Sequence, residues 1–182
     1  GVPVLFRTQE PREPLTERIE GLHEALAFDK LRRTFKRSRL SLTPGLHSGL
    51  GVSAYTQASS PIRRFGDLVG QRQIAAALNS SAPPYAAQEL MEVSAAAESA
   101  EVENRQLEER ANNYWLLRYL ERKGSGAALT AVVIDRKGAV ELEDLLLRGR
   151  LVDGFSAEPG AVVPVTVDRI DALKGDLRLR RV

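Results

Sequence analysis

The 182-residue sequence has no cysteine and only two histidines, His23 and His47. Without cysteine there is no disulfide scaffold, no thiolate-held zinc and no thiol nucleophile. Two histidines so far apart in sequence also exclude a histidine-rich metal site. Aromatic residues are scarce, at 5%, and no apolar run approaches the roughly 20 residues of a membrane-spanning helix. No membrane partner is therefore expected. The opening GVPVLFR has no basic stretch leading into an apolar one, so it does not read as a secretory leader. It also lacks an initiator methionine. The expectation is a trimmed chain or a piece of something longer, in the cytoplasm.

Hydrophobic residues make up 43% and charged residues 27%, a globular composition. The 26 basic residues comprise 21 arginines and 5 lysines, against 24 acidic residues. Residues 1–80 carry 12 basic and 7 acidic side chains, 81–123 carry 5 and 8, and 124–182 carry 9 and 9. The excess is therefore local to the first segment. Arginine offers a planar fork that matches phosphate. Lys30, Arg32, Arg33, Lys36, Arg37 and Arg39 read equally well as a solvated helix face or as a patch facing a polyanion.

Two composition shifts organise the chain: SSAPPYAAQE at 80–89, and Lys123-Gly124-Ser125-Gly126. The second divides it into segments 1–123 and 124–182. A helix is expected over 14–40, with Pro14 near its start and Leu15, Ile19, Leu22 and Leu26 at helical spacing. A second is expected from Ser60 as N-cap and Pro61 as first helical residue, burying Ile62, Phe65, Val69 and Ala76. A third is expected over 86–122, burying Leu107, Ala111, Tyr114 and Leu117 and closed by Gly124. Beyond Gly126 the period changes to two. ALTAVVID and AVELED are joined by a turn at Arg136-Lys137-Gly138, and VVPVTVDRID and DLRLRRV follow. Several short strands in 59 residues suggest a small barrel of OB type. The fold class is α+β.

The segment 47–72, HSGLGVSAYTQASSPIRRFGDLVGQR, carries the chemistry. On the expected helix, Arg63 and Arg64 fall in the first turn, where the helix dipole disfavours cations. An anion in front of them would reverse that penalty, because free N–H groups and two guanidinium forks would converge on one phosphate. The alternative is structural: Asp67 pairs with Arg63 at i+4 or with Arg64 at i+3.

This string resembles the signature of the RNase II/RNase R (RNB-domain) family of 3′-to-5′ exoribonucleases. The residues that match are His47, Leu50, Tyr55, Ser60, Pro61, Ile62, Arg63, Arg64, Asp67, Leu68 and Arg72. Downstream, NRQLEERANNYWLLRYL is similar to a later family helix through Leu107, Glu109, Arg110, Trp115 and Leu116. The strands after residue 124 are similar to the S1-like OB-fold barrel that follows the nuclease domain in many members. Departures are Phe65 for tyrosine, Gln57-Ala58-Ser59 in a usually aromatic-bearing stretch, and Gln71 for histidine.

The resemblance implies the C-terminal part of an RNB catalytic domain at 1–123 and an RNA-binding barrel at 124–182. It implies magnesium-dependent hydrolysis of single-stranded RNA with release of nucleoside 5′-monophosphates. The family's metal-holding aspartates form a close cluster. Here the two aspartates before residue 124, Asp29 and Asp67, are 38 positions apart. No metal ligands are therefore expected in this chain, and the 182 residues alone are expected to be inactive. The N-terminal part of the protein, as a separate chain or a segment, is the expected partner. Arg63 matches the arginine on the scissile phosphate, and Glu109 an acid facing the 3′-terminal nucleotide. Ser60, Arg64, Arg72 and Tyr55 are RNA-binding candidates of second rank. Phe6 and Phe28 are candidates for an aromatic clamp. In the barrel segment, Arg148, Arg150, Arg178, Arg180 and Arg181 are expected to follow the RNA backbone, and the lone aromatic Phe155 to add little. The alternative function is a non-catalytic RNA-binding module on an RNB-like fold.

Overall fold

The structure is a computed structural model and describes residues 2–15, 18–124, 126–152 and 157–182; Phe155 lies outside them. The elements are β1 (Phe6–Thr8), α1 (Glu24–Thr34), β2 (Arg39–Ser41), α2 (Phe65–Leu78), α3 (Ala87–Lys123), β3 (Leu129–Val133), β4 (Ala139–Leu142), β5 (Leu147–Leu151), β6 (Val162–Asp171) and β7 (Asp176–Arg181). They form two compact units. One joins Gly1–Pro14 to Phe35–Arg105, and the other joins Leu15–Thr34 to Gln106–Val182. The composition shift at 123/124 coincides with the end of α3.

In the first unit β1 and β2 pair antiparallel, with Arg7 opposite Leu40. The free edge of β1 does not face solvent alone. Arg7 N–H donates to the Tyr55 carbonyl at 2.8 Å and Gln9 N–H to the Leu46 carbonyl at 2.9 Å. This draws the 46–55 segment against the strand. Leu5, Val69 and Leu90 form the buried core, with Leu40, Leu42, Tyr85 and Val93 packed against it. The hairpin is also fixed from α3. Glu101 takes a forked ion pair from Arg7, at 2.5 and 3.2 Å, and Glu98 accepts the Leu40 N–H at 2.7 Å.

The expected helix over 14–40 is shorter than the spacing predicts. Gly21 has φ +80°, which a right-handed helix cannot contain. The helix begins after His23, whose ring Nδ1 accepts the Ala25 N–H at 3.3 Å and whose carbonyl accepts the Ala27 N–H at 2.9 Å. An acceptor at Nδ1 places the ring proton on Nε2, which donates to Glu143 at 2.9 Å.

The second helix begins later than expected. Ser60 is not its N-cap. The Ser60 carbonyl accepts both the Arg63 and Arg64 N–H groups, at 3.3 and 3.0 Å, and so closes a turn. Arg64, extended at φ −127° and ψ 107°, is the N-cap of α2. The change of phase exposes Ile62 and Phe65 and buries Asp67, Val69, Gly70, Gln73 and Ala76.

The third helix runs close to its expected bounds, but Leu107 and Ala111 are exposed. The burial stripe is displaced toward Tyr114, Leu117 and Leu120. Ala86 N–H donates to the Glu89 carboxylate at 2.8 Å at the start of α3, and Gly124 ends it at φ +87°.

The second unit is built on a closed barrel in the order β3-β4-β5-β7-β6, with β6 pairing back to β3. The β5–β7 pair is parallel and the other pairs are antiparallel. A five-stranded barrel of this kind is an OB-type architecture. Its interior is aliphatic, with Val133, Val140, Leu142, Val165, Leu177 and Leu179 at its centre. The strand β5 was not anticipated. Its inward positions are Leu147, Gly149 and Leu151, and the glycine breaks the apolar alternation.

Candidate functional site

The motif residues Tyr55, Ser60, Arg63, Arg64, Asp67 and Arg72 all belong to the first unit. Asp67 organises them. Its carboxylate is buried, and one oxygen accepts the Ser60 N–H at 2.8 Å, Arg64 Nε at 2.9 Å and Arg64 Nη2 at 2.7 Å. Arg64 Nη2 also reaches the Ser59 hydroxyl at 3.1 Å. The hydrogen bonds to Asp67 hold the Arg64 guanidinium above its ordinary range, against a smaller opposing effect of burial.

The two neighbouring arginines are therefore not equivalent. Arg64 is committed to the loop, and this is the structural pairing that the i+3 spacing suggested. Arg63 is exposed and makes no side-chain hydrogen bond or ion pair among the described residues. Its backbone lies between the Ser60 turn and the start of α2. It presents a free guanidinium fork on a fixed base.

The rest of the motif supports this loop. Arg72 donates to the Tyr85 hydroxyl at 2.6 Å. Tyr55 is half-buried and meets the His47 ring edge-on, with centroids 5.4 Å apart and planes at 85°. His47 Nδ1 is buried and has no hydrogen-bond partner among the described residues. Two of the departures from the family pattern touch each other, because Gln71 donates to the Ala58 carbonyl at 2.7 Å.

Sequence reasoning passed over Gln73. It is fully buried, donates to the Pro3 and Tyr85 carbonyls at 2.7 and 2.9 Å, and accepts the Tyr85 N–H at 3.1 Å. A buried amide satisfied from two distant segments leaves no linear signal.

Glu109 lies on α3 in the second unit, exposed and without a side-chain partner among the described residues. Phe28, on α1, is also exposed and belongs to the second unit, whereas Phe6 is half-buried on β1 in the first. Among the described residues no group of three or more His, Asp or Glu side chains is placed to hold a metal ion, and no helix is long and apolar enough to cross a membrane.

Comparison with known proteins agrees with this geometry. Residues 8–80 match the RNB domain. An uncharacterised ribonuclease of Synechocystis sp. is 29% identical over 190 residues, covering 100% of this chain and 28% of that protein. Exoribonuclease 2 of Erwinia tasmaniensis is 31% identical over 134 residues, covering 73% of this chain and 20% of that protein. The chain thus spans about a quarter of the length of these relatives. Among solved structures, an active-site mutant of the Dss1 exoribonuclease from Candida glabrata superposes with a TM-score of 0.80 at 22% identity, covering 99% of this chain and 25% of that one. Mycoplasma genitalium RNase R, in its apo form, gives 0.75 at 14% identity over 100% of this chain and 38% of that one. The RNB-domain match over residues 8–80, the relatives aligned along the chain and the shared fold make this chain similar to proteins of the RNB-domain family.

Proposed function

We propose that the chain is part of a hydrolytic 3′-to-5′ exoribonuclease that acts on single-stranded RNA and releases nucleoside 5′-monophosphates. The observation that carries this reading is the division of labour between Arg63 and Arg64. A loop that commits one arginine to a buried carboxylate and leaves its neighbour exposed and unpaired is built to offer one guanidinium to an outside anion. Arg63 binds the scissile phosphate in two-pronged fashion, and its contribution grows as charge builds on the non-bridging oxygens. Ser60 and Arg64 position it, while Arg72 and Tyr55 brace the surrounding loop. Glu109 orients the 3′-terminal nucleotide through its ribose hydroxyls. Mycoplasma genitalium RNase R has been solved with ribose-methylated single-stranded RNA and with double-stranded RNA, which supports RNA as the ligand here.

Magnesium belongs to this reading as a cofactor held elsewhere. The described residues do not fit a metal site, so no step is assigned to a metal on this chain. Its ligands come from an aspartate-bearing partner region, as a preceding segment or a separate chain. An S1-like role for the barrel and a cytoplasmic setting complete the proposal.

The test is mononucleotide release from labelled single-stranded RNA in the presence of magnesium. The 182-residue chain alone is expected to release none, and turnover by it would overturn this account of the metal. Together with the aspartate-bearing region, turnover is expected, and Arg63→Ala should slow it by at least about a hundredfold with RNA binding weakened much less. RNA binding without turnover in that assembly would favour a non-catalytic module instead.

A further inference from the structure

The barrel carries a second set of cations, separate from the motif. On β5, Leu147 and Leu151 are buried inward, so Arg148 and Arg150 face outward. Strand register sets Arg150 opposite Arg178 on β7, and Arg178 opposite Arg169 on β6. Three arginines therefore stand in one row across three strands about 4.8 Å apart. Like charges facing each other across strands repel. One carboxylate offsets the row: Asp176, 2.9 Å from Arg178 Nε. Arg150 and Arg169 are exposed and make no ion pair among the described residues. At the next outward position of β7, Arg180 pairs with Asp168 at 2.7 Å, and the register shift between Val167 and Arg169 leaves Asp168 without a ladder partner.

The face on which an OB barrel usually takes an oligonucleotide is that of its second and third strands, here β4 and β5. In this chain a carboxylate of α1 reaches into it. Asp29 of α1 is buried and pairs with Arg148 of β5 and, at 2.7 Å, with Arg33. Arg148 Nε also meets Glu141 of β4 at 3.2 Å, and His23 donates to Glu143 just beyond β4. Carboxylates thus stand around Arg148 where a phosphate would otherwise sit. The cross-strand row starts on β5 beside Arg148, runs onto β7 and β6, and keeps two of its three guanidiniums without an ion pair among the described residues.

We propose that the barrel holds the phosphodiester backbone of single-stranded RNA along Arg150, Arg178 and Arg169, on β5-β7-β6 rather than on the β4–β5 face. This rests on the RNA-degrading function proposed above. The site does not read bases, because the described residues of the barrel include no aromatic side chain on which a base could stack.

The test is fluorescence anisotropy of the 182-residue chain with labelled oligouridylate and oligoadenylate, between about 50 and 200 mM salt. The double variant Arg150→Gln/Arg169→Gln is expected to bind both oligonucleotides about fivefold more weakly. Its salt slope should fall by about 1.4, at roughly 0.7 per lost phosphate contact on a single strand. Arg150→Lys/Arg169→Lys should keep most of that slope, which separates lost charge from lost fold. Arg136→Gln, on the β3–β4 turn and paired with Glu158 rather than standing in the row, should match the wild type. An unchanged slope in the glutamine double variant, with Arg63→Gln weakening binding, would overturn the row and leave the RNA reading standing. A wild-type chain that binds neither oligonucleotide at low salt would overturn the RNA reading, and the row with it. A strong preference for one oligonucleotide would overturn base-independent binding.

Discussion

Arg64 donates through Nε and Nη2 to a single oxygen of Asp67, at 2.9 and 2.7 Å, and that oxygen also accepts the Ser60 N–H. The adjacent Arg63 shares none of this. Stability and ligand binding should therefore separate at two consecutive positions. Asp67→Ala leaves a part-buried N–H and a guanidinium without their acceptor, and is expected to cost about 2–3 kcal/mol in urea unfolding followed by circular dichroism. Arg64→Ala should cost about 1–2 kcal/mol, since its side chain is partly exposed. Arg63→Ala should change stability by less than about 0.5 kcal/mol while reducing RNA affinity. Equal loss of stability at the two arginines would contradict the division of roles.

Gln73 ties α2 to the chain start and to the segment before α3. Each of its three hydrogen bonds ends on backbone, and the residue has no exposure. Gln73→Leu keeps the volume but leaves the Tyr85 N–H and two carbonyls unsatisfied. The expected loss is about 2–4 kcal/mol. Gln73→Glu should be no better, because a carboxylate cannot donate to the Pro3 and Tyr85 carbonyls. Thermal unfolding of both variants, compared with the exposed neighbour substitution Ala75→Ser, checks this.

Acid should loosen α1 from the barrel. Burial alone would raise the Asp29 carboxyl, but the hydrogen bond from Arg148 and the charges of Arg148, Arg33 and Arg32 carry it below its ordinary value. A carboxyl lowered by folding binds fewer protons in the folded state. Its contribution is therefore full above the unfolded value, near about pH 4, and is lost as pH falls through the folded one. Asp29→Asn is expected to cost about 2 kcal/mol at neutral pH, less than a fully buried pair because Arg148 and Arg33 reach solvent. The gap to wild type should narrow as the pH falls below the unfolded value and through the lowered folded one. Denaturant midpoints of both proteins across that range give the answer, and a gap independent of pH would remove Asp29 as the acid-sensitive tie.

Much of this architecture was legible from local chemistry. The span of α3 follows from the Glu89 cap and the left-handed Gly124, and the β3–β4 turn from Gly138 at φ +85° with Asp135 accepting the Lys137 and Ala139 N–H groups. The motif placed Arg63, Arg64 and Asp67 together, but i+3 and i+4 spacing could not say which arginine Asp67 takes. That choice depends on the Ser60 turn, which shifts the helix start to Phe65 and rotates Ile62 and Phe65 into solvent. The row Arg150, Arg178 and Arg169 was hidden for another reason. Arg150 and Arg178, 28 positions apart, and Arg169 and Arg178, 9 apart, become neighbours only through strand register and a bulge.

The inward glycine of β5 yields the last prediction. A Cβ placed on Gly149 would lie 3.0 Å from Leu179 Cδ1 and 3.1 Å from Leu177 Cδ2. The strand can approach β7 this closely only because that position has no side chain. Gly149→Val favours the extended backbone but drives methyl groups into two leucines that are almost wholly buried. Overpacking should prevail, with a loss of about 1–3 kcal/mol. Leu179→Val alone should also destabilise, by about 1 kcal/mol, through the space it leaves. Combined, the two changes should cost less than their sum, because removing one methylene opens the volume that valine needs. A double-mutant cycle of thermal unfolding measures that coupling. Strict additivity would mean that the barrel accommodates the new side chain by moving β5 and β7 apart rather than by crowding Leu179.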